Sequence, residues 1–152
     1  MTLDSSDHSF FPARLTLPYC EVASALHKTG FDFPWSTESF RSLLTLPSTI
    51  GWIDETGLLV CSQVCDEMEI LTICIAPAQR AQGRGFRWLM FLFDYARIHH
   101  VSRIFLEVAE NNIPARRLYE KAGFSEIGRR KNYYKTKSGF CDAVCMAKTV
   151  SA

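Results

Sequence analysis

An apolar stretch that stops at Pro77 runs within a few residues into the longest helical segment of the chain, and the connection reads Gln79-Arg80-Ala81-Gln82-Gly83-Arg84-Gly85. Two glycines one residue apart let the backbone turn sharply and let a ligand approach it closely. The N–H groups at the start of the helix that follows have no intrahelical acceptor and present positive potential, which suits phosphate oxygens. A strand, such a turn and a long amphipathic helix follow one another here, in keeping with a mixed α+β or α/β domain. The turn lacks the Lys-Ser/Thr ending of a P-loop and the third glycine of a dinucleotide fingerprint. Glycines also open helices for purely structural reasons, so the pattern alone leaves an anion cradle and a plain helix start both open.

The remaining elements follow from periodicity. Arg14 to Leu17 alternates like a short strand, and Pro18 suits the first turn of a helix with Val22, Ala23 and Leu26 on one face, ended by Gly30. Ser36 is a natural N-cap, Glu38 sits in the favourable first turn, and Trp35 before the cap can pack on Phe40, which predicts a second helix to about Leu46. Ile50 to Ile53, the turn at 54–57 and Leu58 to Val64 read as a hairpin, with a further strand over Met68 to Ile75. Gly83 to His100 is helical, with Phe86, Leu89, Met90 and Phe93 forming its apolar face. A strand over Arg103 to Ala109, a helix over Asn112 to Ala122 closed by Gly123, and strands over 124–134 and 140–147 complete the order βααβββαβαββ. A length of 152 residues suits one core. We expect a single mixed α/β (α+β) domain over residues 13–150, with residues 1–12 as an extension outside it.

The longest bulky run, Trp88 to Phe93, is far short of the ~20 residues of a membrane span, and the first residues lack a basic start before an apolar stretch. Neither a membrane partner nor export is expected, which points to the cytoplasm. The net charge of +1 conceals a polarity: residues 1–75 carry 3 basic against 10 acidic side chains, and residues 111–152 carry 9 against 3. An anionic ligand at one end of the domain and an ordinary solvated surface both account for this. Six cysteines without an export signal read as reduced thiols. Cys61 and Cys65, and Cys141 and Cys145, are spaced to share a strand face, but no histidine lies near either pair, so no metal site is expected.

The turn around Arg80, Gly83 and Gly85 resembles the first motif, Arg/Gln-x-x-Gly-x-Gly/Ala, of the GNAT superfamily of acetyl-CoA-dependent N-acetyltransferases. The stretch Asn112-Ile113-Pro114-Ala115-Arg116-Arg117-Leu118-Tyr119-Glu120-Lys121-Ala122-Gly123-Phe124 is similar to its second motif, Asn-x-x-Ala-x-x-Leu-Tyr-x-x-x-Gly-Phe. The resemblance implies a GNAT fold over roughly residues 13 to 149, a mixed, mostly antiparallel sheet of about seven strands with about four helices. It implies acetyl-CoA as co-substrate, held by Arg80, Ala81, Gln82, Gly83, Arg84, Gly85 and Phe86, by the strand Ile73-Cys74-Ile75, and by Asn112 and Tyr119. Phe33-Pro34-Trp35-Ser36, Leu106-Glu107-Val108 and Arg130-Lys131-Asn132-Tyr133-Tyr134 with Asp142-Ala143 are similar to the branch that acetylates the N-terminal alanine of a ribosomal protein. That branch implies Glu107 as general base and Tyr119 as general acid, twelve positions apart, with Trp35, Glu69, Tyr133 and Tyr134 on the acceptor side. The chain departs from the branch at Ala109-Glu110-Asn111, at Lys135 and at Cys141, all on that acceptor side.

Acetyl transfer needs a neutral amine, a base for its proton and an acid for the departing thiolate. An α-amine of pKa about 7.7–8.0 has a free-base fraction about a few hundredfold larger than a lysine of pKa about 10.4, so a modest base suffices for a protein N-terminus. Glu107 lies in an apolar run that would desolvate it, whereas Glu110 falls on the opposite strand face, and Glu69 is placed to relay through water. A surface glutamate, a core tyrosine and a simple N-cap remain the structural alternatives for Glu107, Tyr119 and Asn112. The histidines have no nucleophile-like context. A small-amine or lysine acceptor stays open, as does a silent CoA-binding module that uses Arg129 to Lys137 on RNA, although nucleic acid is not the expected partner.

Overall fold

The computed structural model describes residues 10–151. Its strands are β1 (Ala13–Arg14), β2 (Thr49–Asp54), β3 (Gly57–Val64), β4 (Glu67–Ile75), β5 (Arg103–Ala109), β6 (Ser125–Thr136) and β7 (Gly139–Thr149). The helices are α1 (Cys20–Lys28), α2 (Thr37–Leu44), α3 (Arg84–Ile98) and α4 (Ile113–Lys121). The strands form one sheet in the order β1-β2-β3-β4-β5-β7-β6, in which β4 and β5 are the parallel pair and every other pair is antiparallel.

Local chemistry fixes the helix ends. The Ser36 hydroxyl accepts from the Ser39 N–H at 3.1 Å, and the Trp35 and Phe40 rings meet at 5.3 Å, a cap and staple that start α2. Asn112 caps α4 by accepting from the Ala115 N–H at 3.3 Å, Pro114 occupies its first turn, and Gly123 leaves it at φ +100°. At the β2–β3 turn the Asp54 carboxylate accepts from the N–H and hydroxyl of Thr56, at 2.7 and 2.6 Å. The same hydroxyl receives the indole N–H of fully buried Trp88, at 3.1 Å, which ties α3 to the hairpin.

Two cores sandwich the sheet. α3 and α4 cover one face through Trp88, Leu89, Leu92, Ala96 and Tyr119, packed on Ile104, Leu106 and Val108 of β5 and on Met68 and Ile70 of β4. α1 and α2 cover the other through Cys20, Ala23 and Phe40, packed on Ile53, Leu58, Val60 and Cys74. The register between β3 and β4 steps between Val60 and Cys61, which pair with Thr72 and Ile70, so Leu71 is a bulge. Ile70, Ile73 and Ile75 consequently point to the α3 side, while Leu71 packs with the α1–α2 core and Thr72 bonds to α1. Parallel pairing to β5 ends at Ile70 and Leu106, immediately before the bulge. Beyond it the two strands part.

Some expectations are corrected. Val22 is exposed, because α1 buries Cys20, Ala23, Ser24 and His27 instead. The most buried stripe of α3 is Trp88, Leu89, Leu92 and Ala96, with Phe86, Met90 and Phe93 half-buried on its flank. Cys65 shares no face with Cys61: it lies in the β3–β4 turn at φ +55°, exposed. Of the extension, residues 1–9 lie outside the described residues, whereas Phe10 packs edge-on against Trp88, with ring centroids 4.8 Å apart.

Replacing Thr56 with Val strands the buried Trp88 N–H and should cost about 1–3 kcal/mol, read as a lower denaturant midpoint at unchanged slope, with Thr56→Ser close to wild type.

Candidate active site

Where β4 and β5 separate, the sheet opens into a cleft of about 830 Å³. Its walls include Ile73 and Ile75 of β4, Glu107 of β5, Gly85 at the start of α3, Asn112 and Tyr119 of α4, Trp35 before α2, and Tyr134 of β6. The structure therefore brings these eight sequence-derived candidates to one site. Cys74 faces away, with its thiol 3.5 Å from the Leu26 carbonyl in the α1–α2 core. Glu69 and Tyr133 sit on the exposed surface beside the Glu107 end and do not line the cleft.

The α3 end presents free backbone amides to the cleft. The first intrahelical bond runs from the Arg87 N–H to the Gly83 carbonyl, and no side chain among the described residues caps the helix, so the amides of Arg84, Gly85 and Phe86 are left for another acceptor. Gly83 takes φ +74° and Ala81 φ +58°, and a Cβ on Gly85 would meet Leu118 at 2.8 Å. Arg84 Nε is the buried side-chain polar atom without a partner among the described residues, and it sits at this helix start. Arg80 is a strut: its guanidinium donates to the Ile75 carbonyl at 3.0 Å and to the Thr29 carbonyl and hydroxyl at 3.0 and 3.1 Å, joining the end of β4 to the end of α1. The Gln82 amide closes the turn onto the Ala78 carbonyl, and Lys121 of α4 lies over the Phe86 ring. An anionic group bound by amides, with an extended arm laid along the unpaired edge of β4, fits this end of the cleft.

At the other end Glu107 is largely shielded, its side chain 18% exposed, and pairs with Arg130 Nε at 2.8 Å. The Cys145 thiol lies 4.0 Å from the same carboxylate oxygen. Although Glu69 is exposed, partial desolvation beside its neighbours, and then the Glu107 charge, push its carboxyl up, against a smaller opposing pull from Arg130. Burial raises the phenols of Tyr119 and Tyr134 well above their ordinary range, so both stay protonated and can donate. Glu110 is held elsewhere, 3.3 Å from Arg129.

Sequence reasoning assigned His27 no role, yet it organises the cleft rim. It is 1% exposed; its Nδ1 accepts from the Trp35 N–H at 2.9 Å, and its Nε2 is 3.0 Å from the Thr72 hydroxyl beside the bulge. Phe31 stacks on it at 4.0 Å and Trp35 at 5.1 Å. With Nδ1 accepting, the neutral ring carries its proton on Nε2 and donates to Thr72. The available signal was its place on the buried face of α1, four residues after Ala23.

The acetyltransferase (GNAT) family profile matches residues 23–124. The [ribosomal protein bS18]-alanine N-acetyltransferase of Escherichia coli (strain K12) is 33% identical over 142 residues, covering 90% of this chain and 96% of that protein. The crystal structure of the ribosomal-protein-S18-alanine N-acetyltransferase from Escherichia coli superposes with a TM-score of 0.86 at 28% identity, covering 93% and 94% of the two chains. A spermidine N-acetyltransferase from Vibrio cholerae shares the fold, with a TM-score of 0.78 at 20% identity over 93% and 94%. No helix among the described residues is long and apolar enough to cross a membrane.

Burial lowers the His27 pKa from 6.5 to about 4. The unfolded chain binds a proton there from pH 6.5 downward that the folded chain refuses until about pH 4. The stability tied to the neutral ring is thus complete above pH 6.5 and is lost as pH falls from 6.5 toward 4, by roughly 2–3 kcal/mol. The His27 ring signal in NMR should not move between pH 7.5 and 5.5; a midpoint near 6.5 would contradict this.

Proposed function

The chain belongs to the acetyltransferase (GNAT) family, and on that premise we propose that it transfers the acetyl group of acetyl-CoA directly to the N-terminal α-amino group of a ribosomal protein, in the cytoplasm, with residues 13–150 as the catalytic domain. The observation that carries this reading is the presence of Glu107 and Tyr119 on the walls of one cleft, at the point where β4 leaves β5.

Bound acetyl-CoA supplies an acyl group already activated as a thioester. The amides of Arg84, Gly85 and Phe86 hold its anionic end by charge-assisted hydrogen bonds, with the Arg84 side chain beside them. The edge of β4 that has no strand beside it over Ile73 and Cys74 aligns the extended arm, and Asn112 flanks it at the start of α4. Glu107 accepts the proton that the acceptor's ammonium must lose, with Glu69 passing it on to solvent through water. Tyr119, kept protonated by burial, donates to the departing sulfur. Trp35 and Tyr134 form the acceptor's walls, with Tyr133 on the surface outside them. Direct attack suffices, because the acceptor amine is itself the nucleophile once Glu107 has taken its proton.

Thiol release from acetyl-CoA should occur with a peptide bearing a free N-terminal Ala and fail with the same peptide blocked at its N-terminus but containing Lys. The reverse preference would move the acceptor to side chains. Glu107→Gln should lower kcat by about 10²–10⁴-fold at unchanged acetyl-CoA affinity; an undiminished rate would remove it as the base. Tyr119→Phe should slow turnover with binding intact.

A further inference from the structure

Resting on that reading of the site, a further role falls to Arg130. Its guanidinium bonds to Glu107 in the acceptor end of the cleft, yet the two partners are unequally held: the Arg130 side chain is 60% exposed and that of Glu107 only 18%. Of the two, Arg130 is free to swing out. Its backbone is placed by a second irregularity of the sheet. Between Arg130 and Tyr134, which pair with Ala143 and Cys141, β6 carries three residues opposite the single Asp142 of β7. Asn132 takes the left-handed conformation there, at φ +51°, and the Asp142 carboxylate accepts its N–H at 2.9 Å. The bulge presents Arg130 and Tyr133 together, with the guanidinium 5.3 Å from the Tyr133 ring centre. The charged and titratable neighbours of the pair are Glu69 of β4, Cys145 of β7, and Tyr133 and Tyr134 of β6.

An acceptor amine near neutral pH arrives mostly as an ammonium ion. It therefore meets a carboxylate that already holds a cation of the chain's own. We propose that Arg130 is a specificity residue, a resident cation that a single acceptor ammonium replaces at Glu107 and that then repels any further positive charge on the acceptor. Exchange of one cation for one leaves the local charge as it was, so a mono-ammonium N-terminus is accepted at little electrostatic cost. A polyamine brings additional ammonium groups into a rim where the displaced guanidinium still stands. Selection of this kind works by repulsion of the wrong ligand, not by extra contacts to the right one.

The test compares wild type, Arg130→Gln and Arg130→Lys with two acceptors, a peptide with a free N-terminal Ala and spermidine. Turnover is measured with acetyl-CoA, and binding by calorimetry in the presence of CoA. In Arg130→Gln the preference for the peptide over spermidine, in kcat/KM and in Kd, should fall by about tenfold or more. In Arg130→Lys, which keeps the charge, it should stay near wild type. The acidic limb of the kcat/KM profile should also move to higher pH in Arg130→Gln, since Glu69 loses the cation that opposes its upward shift. An unchanged preference in Arg130→Gln, or an equal loss in both variants, overturns the proposal. Absence of turnover with either acceptor in wild type would instead defeat the proposed function, and the binding ratio would still decide the role of Arg130.

Discussion

The arrangement of the cleft depends on one irregularity in the sheet, the extra residue Leu71 in β4. A regular strand would continue beside β5 and satisfy its main-chain groups there. With Leu71 and Thr72 turned toward the same helical layer, β4 leaves β5 after Ile70, and the edge of residues 71–75 loses its neighbour. Buried main-chain donors and acceptors need partners. An extended, amide-bearing molecule inserted between the strands is such a partner, and acetyl-CoA has that chemistry. Glu107 continues along β5 past the point of separation and faces the opening.

The bulge is itself supported. Thr72 bonds to His27, and His27 also holds the Trp35 N–H, so the same imidazole links the kink in β4 to the cleft rim at Trp35. Near the start of α3, Arg80 joins the end of β4 to the end of α1. The Thr56 hydroxyl, gripped by Asp54 and Trp88, fixes α3 against the β2–β3 hairpin. The two ends of the cleft are thus tied to the sheet by buried or multiply bonded polar side chains, which set direction and spacing where apolar packing alone would not.

Periodicity and turn chemistry made most of the architecture legible. β5 matches its expected span, and the Ser36 cap with the Trp35–Phe40 contact is found as the sequence implies. The relation of Glu107 to Tyr119 could be read only by resemblance, because spacing along a chain carries no distance across a fold. What escaped were features without a local signature. Leu71 is an apolar residue within an apolar strand, and nothing in its neighbours marks it as unpaired. The pairing of Arg130 with Glu107 depends on β7 lying between β5 and β6, a non-sequential order that puts residues 23 positions apart within one hydrogen bond. Val22 was misplaced because α1 is short and its buried face includes the polar Ser24 and His27, which hydropathy assigns to solvent.

The two bulges of β6 have a consequence apart from acceptor recognition. β6 is the long outer strand of the sheet, twelve residues with nearly all side chains exposed, while the opposite edge, β1, has only two residues. A straight strand of that length would offer a continuous ladder of free donors and acceptors to a second molecule, the usual route to edge-to-edge aggregation. Register steps near Ile127 and Asn132 divide that ladder into short pieces, and Arg129, Arg130, Lys131, Lys135 and Lys137 add charge along and just beyond it. The geometry that places Arg130 beside Glu107 also breaks up the pairing edge that the longest strand offers to a second molecule.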